Sequence, residues 1–533
     1  MAGCVSERMF VLVGALLLAS PAMVRSDYTV TVSLVKQWNV WEGWGCSLAW
    51  WANVFGDRAD LADMVFSLNY TNIGQYTLPG LGMNIARYNT GASSFNTVNG
   101  SKMVPSPNIP SWKQIEAFWL DPASDDPASS SFDWSKDALQ RKMVEMARDR
   151  GANILQMFSN SPVWWQLYNH NPSGSPNGRT DNLMTSFHKQ HAEYFAITTE
   201  YFKSKLNIDI DSVELFNEPS SAWWTATGTQ EGCHFDASTQ ASLLPDLRKA
   251  LDARGLQQVK ISSSDETSYS LAISTWQSFP DSAKALVDEV NVHGYEYGSG
   301  RRDILYNLVS SDKKRLFNSE YGEGDDSGAS LASNLNLDFQ WLHMTGWCYW
   351  QPLDGGGWGL VQADLTKKTV GIVNPKYYVL AHYTRHIRPG HAIMDSSDGN
   401  TVISFSRGEK KLVLVAVNSG NAQKITFDLS GCGLSAQSSV VRWQTSMSTA
   451  GDKYVLYRDT TISGGKFTVA FDAHTIVTFE VSGVSGPGAP TVVLHHQDAS
   501  ETNGPGSAHD GTGARAGQDH VEEEAVAEEQ HAV

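Results

Sequence analysis

Ser212-Val213-Glu214-Leu215-Phe216-Asn217-Glu218-Pro219-Ser220-Ser221 is a short apolar run that ends abruptly in an amide, a carboxylate and a proline. Pro219 cannot donate to a sheet ladder and biases Glu218 toward an extended conformation, so a buried strand is expected to stop here with two polar side chains at its exit. Taken alone, Asn-Glu-Pro reads equally as a turn or helix start with proline at the first helical position. A second carboxylate in an equivalent place would decide between these readings.

Around this stretch, from residue 38 to 388, strand-like and helix-like segments alternate. Strands are expected over 38–45, 83–88, 153–158, 213–217, 259–263, 290–293, 315–319 and 345–350. Between them, 58–67, 136–150, 185–205, 238–254, 301–311 and 329–343 carry apolar residues at spacings of three and four, and a last helix is expected over 376–385. Eight strand-helix units predict an α/β fold, a (β/α)8 TIM barrel over 38–388 rather than an open sheet. The long insertion at about 89–134 repeats Asp-Pro-Ala-Ser (Asp121 to Ser124, Asp126 to Ser129) and belongs where barrel loops form a substrate cleft. After Pro389 the helical period stops. Short β-rich segments at 402–405, 412–417, 424–427, 440–443, 466–469 and 475–479 predict a small antiparallel β-sandwich side domain over 389–482, which an N-terminal strand within 27–37 can join.

The two ends read differently. Residues 1–26 hold Arg8, the apolar run Met9 to Leu18 and small residues, the pattern of a cleaved secretory signal too short to span a membrane. Residues 483–533 contain nine Asp or Glu and one Arg with almost no large apolar residues, so a disordered acidic tail is expected. The formal charge of −17 argues against nucleic acid or an anionic membrane surface as partner. The 18 Trp suit a protein that stacks on sugar faces, although a large core also uses such anchors. With Cys4 in the signal, Cys46, Cys233, Cys348 and Cys432 allow three pairings among which spacing does not choose. Asn69 and Asn99 stand in glycosylation sequons, in keeping with an extracellular location.

The second carboxylate lies in Arg315-Leu316-Phe317-Asn318-Ser319-Glu320-Tyr321-Gly322. By the strand count Glu218 ends strand 4 and Glu320 ends strand 7, on the barrel face where catalytic groups collect. Two carboxylates there suit glycosidic hydrolysis, one protonating the leaving oxygen and one attacking the anomeric carbon; a separation of about 5 to 5.5 Å means retention of configuration. A metal site is not expected, since histidines at ligand spacing are missing, and no organic cofactor is implied.

Gly43-Trp44-Gly45, Asn84-Ile85-Ala86-Arg87-Tyr88-Asn89, Ser159 to Trp165, Phe216-Asn217-Glu218-Pro219, Asn291-Val292-His293-Gly294-Tyr295, Asn318 to Gly322 and Trp350-Gln351 together resemble glycoside hydrolase family 30 of clan A. Leu48 to Ala52, Asn169 to Gly174, Gly228 to Phe235, Asp265-Glu266-Thr267-Ser268-Tyr269 and Leu380 to Arg388 look more specifically like the fungal-type endo-β-1,6-galactanases. The resemblance implies Glu218 as acid/base, Glu320 as nucleophile, and Asn217 bonded to the sugar 2-hydroxyl. It gives Arg87 as the group that holds Glu320 ionised, and His293 and Tyr295 as supporting groups beside the nucleophile. Trp164 and Trp350 are expected as stacking platforms, with Trp223, Trp224 and Trp358 in mouth loops. The activity implied is a secreted, monomeric, retaining endo-glycosidase that cuts β-1,6-linked galactan, a polysaccharide or oligosaccharide substrate. The alternatives are another family 30 activity, endo-β-1,6-glucanase or xylanase, and a catalytically silent carbohydrate-binding protein.

Overall fold

Eight strands pair in parallel and close on themselves: β1 (Gly43–Ser47), β2 (Ile85–Asn89), β3 (Ile154–Phe158), β4 (Ser212–Glu214), β5 (Lys260–Glu266), β6 (Glu289–His293), β7 (Arg315–Tyr321) and β8 (Gly346–Tyr349). The computed structural model describes residues 28–486; the secretory segment and nearly all of the acidic tail read from the sequence lie outside them. Every residue of β1, β2, β3, β4, β6 and β8 is buried. Strands covered on both faces need no polar alternation, and β3 (Ile-Leu-Gln-Met-Phe) and β8 (Gly-Trp-Cys-Tyr) read as near-continuous apolar runs. Gly45 is required by close approach: a Cβ there would lie 2.5 Å from Ile85 Cβ and 2.9 Å from Cys348 Sγ. Ile85, Ile154, Phe317 and Cys348 pack together inside the ring. At the strand starts, Arg315 meets Glu42 at 2.5 Å, Glu289 at 3.1 Å and Asp211 at 3.3 Å, closing the floor.

The helices expected at 58–67, 136–150, 238–254 and 376–385 are Ala59–Phe66, Ala138–Asp149, Ala237–Ala253 and Pro375–Thr384. The segment 329–343 is α-helical over Ala329–Leu337 and widens into a π turn at Asp338–Leu342. That turn carries buried Asp338, which accepts from Tyr269, Arg302, Asn318 and Trp347. The helix Tyr269–Ser278, capped by Ser268 Oγ accepting from Leu271 N–H, was not evident from the Ser- and Thr-rich sequence. The single strand expected at 38–45 is two. Gln37–Val40 pairs antiparallel with Ala392–Met394 in the side domain. The backbone then changes partner, Trp41 N–H to His391 O and Glu42 N–H to Thr345 O, before β1 begins in the barrel.

The side domain has a three-stranded sheet (Tyr28–Thr31, Gln423–Asp428, Lys466–Phe471) facing a seven-stranded antiparallel one that includes Thr401–Ser406, Lys411–Asn418, Leu434–Ser446 and Thr475–Val484. Val30, Phe405, Leu414, Phe427, Phe467 and Phe479 fill the space between them. All ten residues of the Pro375–Thr384 helix are buried, and its His382 bonds Thr478 and Thr445 at 2.8 Å each. The side domain is thus locked to the barrel through the last barrel helix. None of Cys46, Cys233, Cys348 and Cys432 forms a disulfide; each is buried and free.

The insertion after β2 is ordered rather than structureless. Ser93 O–H donates to Glu231 Oε1 at 2.6 Å and Ile115 N–H donates to the same oxygen at 3.1 Å, tying the insertion to the loop after β4. Burial pushes Glu231 up to about 8, and burial likewise raises Glu289 to about 8 and Asp137 to about 7. These carboxyls keep a proton in the folded chain that the unfolded chain has released, so their stabilisation is greatest below about pH 4 and is lost as pH rises to about 8. His191, held down to about 4 by burial, acts in the opposite sense, but only below about pH 6.5. Between pH 6.5 and 8 the urea midpoint should therefore fall. Glu231→Gln should flatten that fall, as measured by tryptophan fluorescence at the two pH values.

Candidate active site

The C-terminal ends of β4 to β8 and the loops that follow enclose a cleft lined by Asn217, Glu218, Thr267, Tyr295, Glu320 and Trp350. Side chains reach it because the strands break their alternation at the mouth. β4 stops at Glu214, so Asn217 and Glu218 are free of strand geometry. Glu218 adopts a left-handed backbone (φ 48°), held by its N–H donating to Asp265 O at 2.8 Å and by Trp224 Nε1 donating to its carbonyl at 2.9 Å. A non-glycine residue there costs about 1–3 kcal/mol, which these contacts offset. In β5 the pairing to β6 slips between Ser264 and Glu266, leaving Asp265 as a bulged residue at φ 57°. In β7, Val292 pairs with Asn318 and His293 with Glu320, so Ser319 is the extra residue of a second bulge. Phe317 faces the barrel interior while Asn318 faces outward to Asp338. Strict alternation would send Glu320 outward; the bulge turns it in.

Two cations and three carboxyls then assemble. Arg87, from β2, donates to Glu320 Oε2 at 2.8 Å and to Asp265 Oδ2 at 2.7 Å. His293 Nδ1 lies 2.9 Å from Glu218 Oε1 and 3.5 Å from Glu320 Oε1, and its Nε2 lies 3.2 Å from Asp265 Oδ1, off the line of a hydrogen bond but close enough to pair charge. Tyr295 O–H donates to Glu320 Oε1 at 2.9 Å and Thr267 O–H to Glu218 Oε1 at 2.5 Å. Ser319 O–H donates to Asp265 at 2.6 Å. Burial opposes ionisation of Asp265, but Arg87 and His293 outweigh it and hold the carboxyl at about 2. Burial likewise disfavours a charged His293, yet Glu320 and Asp265 raise it to about 10, so it is an imidazolium at neutral pH. At Glu320 burial outweighs the downward pull of His293 and Arg87, so its carboxyl sits above the usual carboxylate range. An oxygen of Glu218, a nitrogen of His293 and an oxygen of Glu320 all lie within 4.8 Å of one another.

Of the residues singled out in the sequence, Glu218, Glu320, Asn217, Arg87, His293, Tyr295 and Trp350 converge here. Trp164 does not. It sits in a 3-10 turn after β3 with no exposed surface, its indole N–H donating to Ser94 Oγ at 2.6 Å, so it is core and Asn160 lines the cleft from that strand instead. Trp223 and Trp358 line the cleft, whereas Trp224 is buried beneath Glu218. Asp265 and Thr267 stand in a motif that gave no hint of their charge and hydrogen-bond partners. Trp50, within the Leu48 to Ala52 stretch noted in the sequence, and Trp112, Lys113 and Asp354 also line the cleft. Asp265→Asn removes the anion between two buried cations. It should cost about 3–5 kcal/mol of stability by urea titration and lower the His293 pKa, read by NMR of the imidazole resonances.

Comparison with known proteins agrees with this geometry. Residues 23–288 match the family model of O-glycosyl hydrolase family 30. An endo-β-1,6-galactanase of Hypocrea rufa is 51% identical over 462 residues, covering 86% of this chain and 96% of that protein. An exo-β-1,6-galactobiohydrolase of Bifidobacterium longum is 22% identical and matches over 36% of its own length. Among solved structures, the catalytic domain of a GH30 xylanase C from Talaromyces cellulolyticus superposes with a TM-score of 0.64 at 20% identity, covering 85% of this chain and 100% of that one, and shares the fold. With a relative so similar over nearly its whole length, and with the barrel and its paired glutamates in place, the chain belongs to glycoside hydrolase family 30.

Proposed function

We propose that this protein is a secreted, retaining endo-β-1,6-galactanase in which Glu218 is the acid/base and Glu320 the nucleophile. The observation that carries the mechanism is the approach of a Glu218 oxygen to within 4.8 Å of a Glu320 oxygen at the open mouth of the barrel. That spacing is nearer the separation of about 5–5.5 Å that suits direct attack on the anomeric carbon than the roughly 6.5–9.5 Å that inversion needs. The substrate reading is supported by the 51% identity to the Hypocrea rufa endo-β-1,6-galactanase.

Charge balance supports the division of labour. Glu218, Glu320 and Asp265 face Arg87 and His293, so a neutral buried cluster takes one proton onto the glutamate pair. Both Glu320 oxygens already accept hydrogen bonds, from Arg87 and Tyr295, which favours its carboxylate and leaves the shared proton to Glu218. Glu320 then attacks the anomeric carbon as Glu218 gives its proton to the departing oxygen, and the sugar is held as an ester of Glu320. Glu218, now a carboxylate, takes a proton from water as that water attacks the same carbon and frees Glu320. Asn217 Oδ1 is buried and accepts no hydrogen bond within the described chain, so it is available to the sugar 2-hydroxyl. Trp350 offers a stacking face. The chain acts as a monomer, with the side domain as a brace. No helix among the described residues is long and apolar enough to cross a membrane, and the apolar run Met9 to Leu18 is read as a secretory signal.

The test is product analysis on β-1,6-galactan, β-1,6-glucan and glucuronoxylan. Wild type should release a ladder of short galacto-oligosaccharides from the first, and proton NMR should show the β anomer first. Glu320→Gln should lower kcat by about 10⁴-fold or more and Glu218→Gln by about 10² to 10⁴-fold. An α anomer appearing first, or an active Glu320→Gln, would sink the mechanism; release from glucan or xylan alone would sink the substrate assignment.

A further inference from the structure

Lys113 lines the same cleft, and nothing in the reaction outlined above uses it. It closes the 3-10 turn Ser111–Lys113 in the insertion after β2, and only 5% of its surface is exposed. Its ammonium lies 4.0 Å from the centre of the Trp50 ring and makes no hydrogen bond or ion pair among the described residues. A buried ammonium without a hydrogen bond is unfavourable, and the aromatic faces of Trp50 and Trp112 offset only part of that. Burial accordingly holds its pKa down at about 8, with Asp354 pulling the other way.

The surroundings are built rather than accidental. Gln351, directly after Trp350, accepts from Trp50 N–H at 3.0 Å and Trp51 N–H at 3.2 Å, and its Nε2 donates to Asp354 Oδ2 at 2.7 Å. One amide thus fixes both the ring beneath Lys113 and the carboxylate near it. Trp350 meets the Trp50 ring edge to face at 4.9 Å, and Asn53 Nδ2 donates to the Trp112 carbonyl at 3.0 Å, anchoring the turn that presents Lys113. This wall comes from the loops after β8, β1 and β2. In the ring β8 lies opposite β4, and Glu218 stands in the loop that follows β4. An acid on the β4 side faces the leaving group, so the wall opposite holds the sugar units being transferred.

We infer that Lys113 is a substrate-positioning residue whose ammonium donates to hydroxyls of a galactose unit on the transferred side of the cut, with Asp354 accepting from a neighbouring hydroxyl. The inference rests on the galactanase reading. A pyranose presents one apolar face to an aromatic ring and its hydroxyls around the edge, which matches an indole corner with one donor and one acceptor at its rim. Neutral hydroxyls fit better than an acidic substituent, because Glu218, Glu320 and Asp354 already make this cleft acidic.

The experiment compares wild type, Lys113→Met and Lys113→Arg on linear β-1,6-galacto-oligosaccharides, with thermal unfolding in parallel. Lys113→Met keeps the aliphatic packing and should raise KM by 10-fold or more, change kcat by less than 3-fold and leave Tm unchanged or higher. Lys113→Arg should restore most of the affinity, and competitive inhibition by galactobiose should weaken in Lys113→Met by the same factor as KM. Wild-type KM in Lys113→Met overturns the assignment. So does a lowered Tm with no rescue by Lys113→Arg, which marks a structural role, and so does a defect confined to galactan bearing uronic acid ends. A wild type that releases nothing from β-1,6-galactan strikes the underlying reading, and the assignment with it.

Discussion

Asp265 is the constraint on which the mouth of this barrel depends. It is fully buried, contacts Arg87, His293 and Ser319, and its own carbonyl fixes Glu218 through the backbone. Without it, Arg87 and His293 would be two like charges confined in a dry space beside the glutamates. Each would bind its glutamate at the other's expense. With it, both cations are oriented from behind, and a fully buried carboxylate sets the charge state of the two that line the cleft. A buried ion cluster of this kind is poor value for stability compared with apolar packing. Its retention at the mouth is intelligible as preorganisation, since charge developing on the sugar then meets dipoles already in place.

Backbone geometry serves the same end. A barrel strand offers alternate side chains to its interior, and a regular ladder could not turn Ser319 and Glu320 both inward, nor aim Asp265 between Arg87 and His293. One extra residue in β5 and one in β7 change the phase just where the strands leave the packed core. The early end of β4 does the same for Asn217 and Glu218. These departures sit at strand ends, where a lost ladder bond is replaced by a loop or a side chain. Glu218 shows the exchange, with its N–H and carbonyl both engaged in spite of a left-handed φ.

That division explains what the sequence could and could not convey. The barrel was legible because short strand-like segments alternate with helices whose apolar residues repeat at three and four, both properties of residues near each other in the chain. The two glutamates were legible because Pro219 and the Glu320-Tyr321-Gly322 exit mark strand ends. Bulges leave no such mark: Ser264-Asp265-Glu266 reads as an ordinary polar stretch. Trp164 was misplaced because a tryptophan after a strand has no sequence feature telling core from cleft; Ser94, seventy residues away, decides it. The strand expected at 38–45 failed for a related reason, since two sheets of one chain meet at Trp41 and Glu42 without any break in hydrophobicity.

The same reasoning locates substrate choice. In the proposed mechanism the glutamates, Arg87, His293 and Tyr295 serve the anomeric carbon and its oxygens, which β-linked sugars of many kinds share, so they cannot by themselves separate galactan from xylan. The other residues that line the cleft come from loops: Trp50 after β1, Trp112 and Lys113 in the insertion after β2, Trp223 and Gln230 after β4, Asp354 and Trp358 after β8. Two of these loops are tied together, Trp112 Nε1 donating to Thr366 Oγ1 at 3.1 Å. The insertion is also tied to the β4 loop through Glu231. Exchanging the insertion after β2 for that of a relative with another substrate would remove contacts on two other loops, so specificity in this fold is a property of the joined loops rather than of any single residue in them.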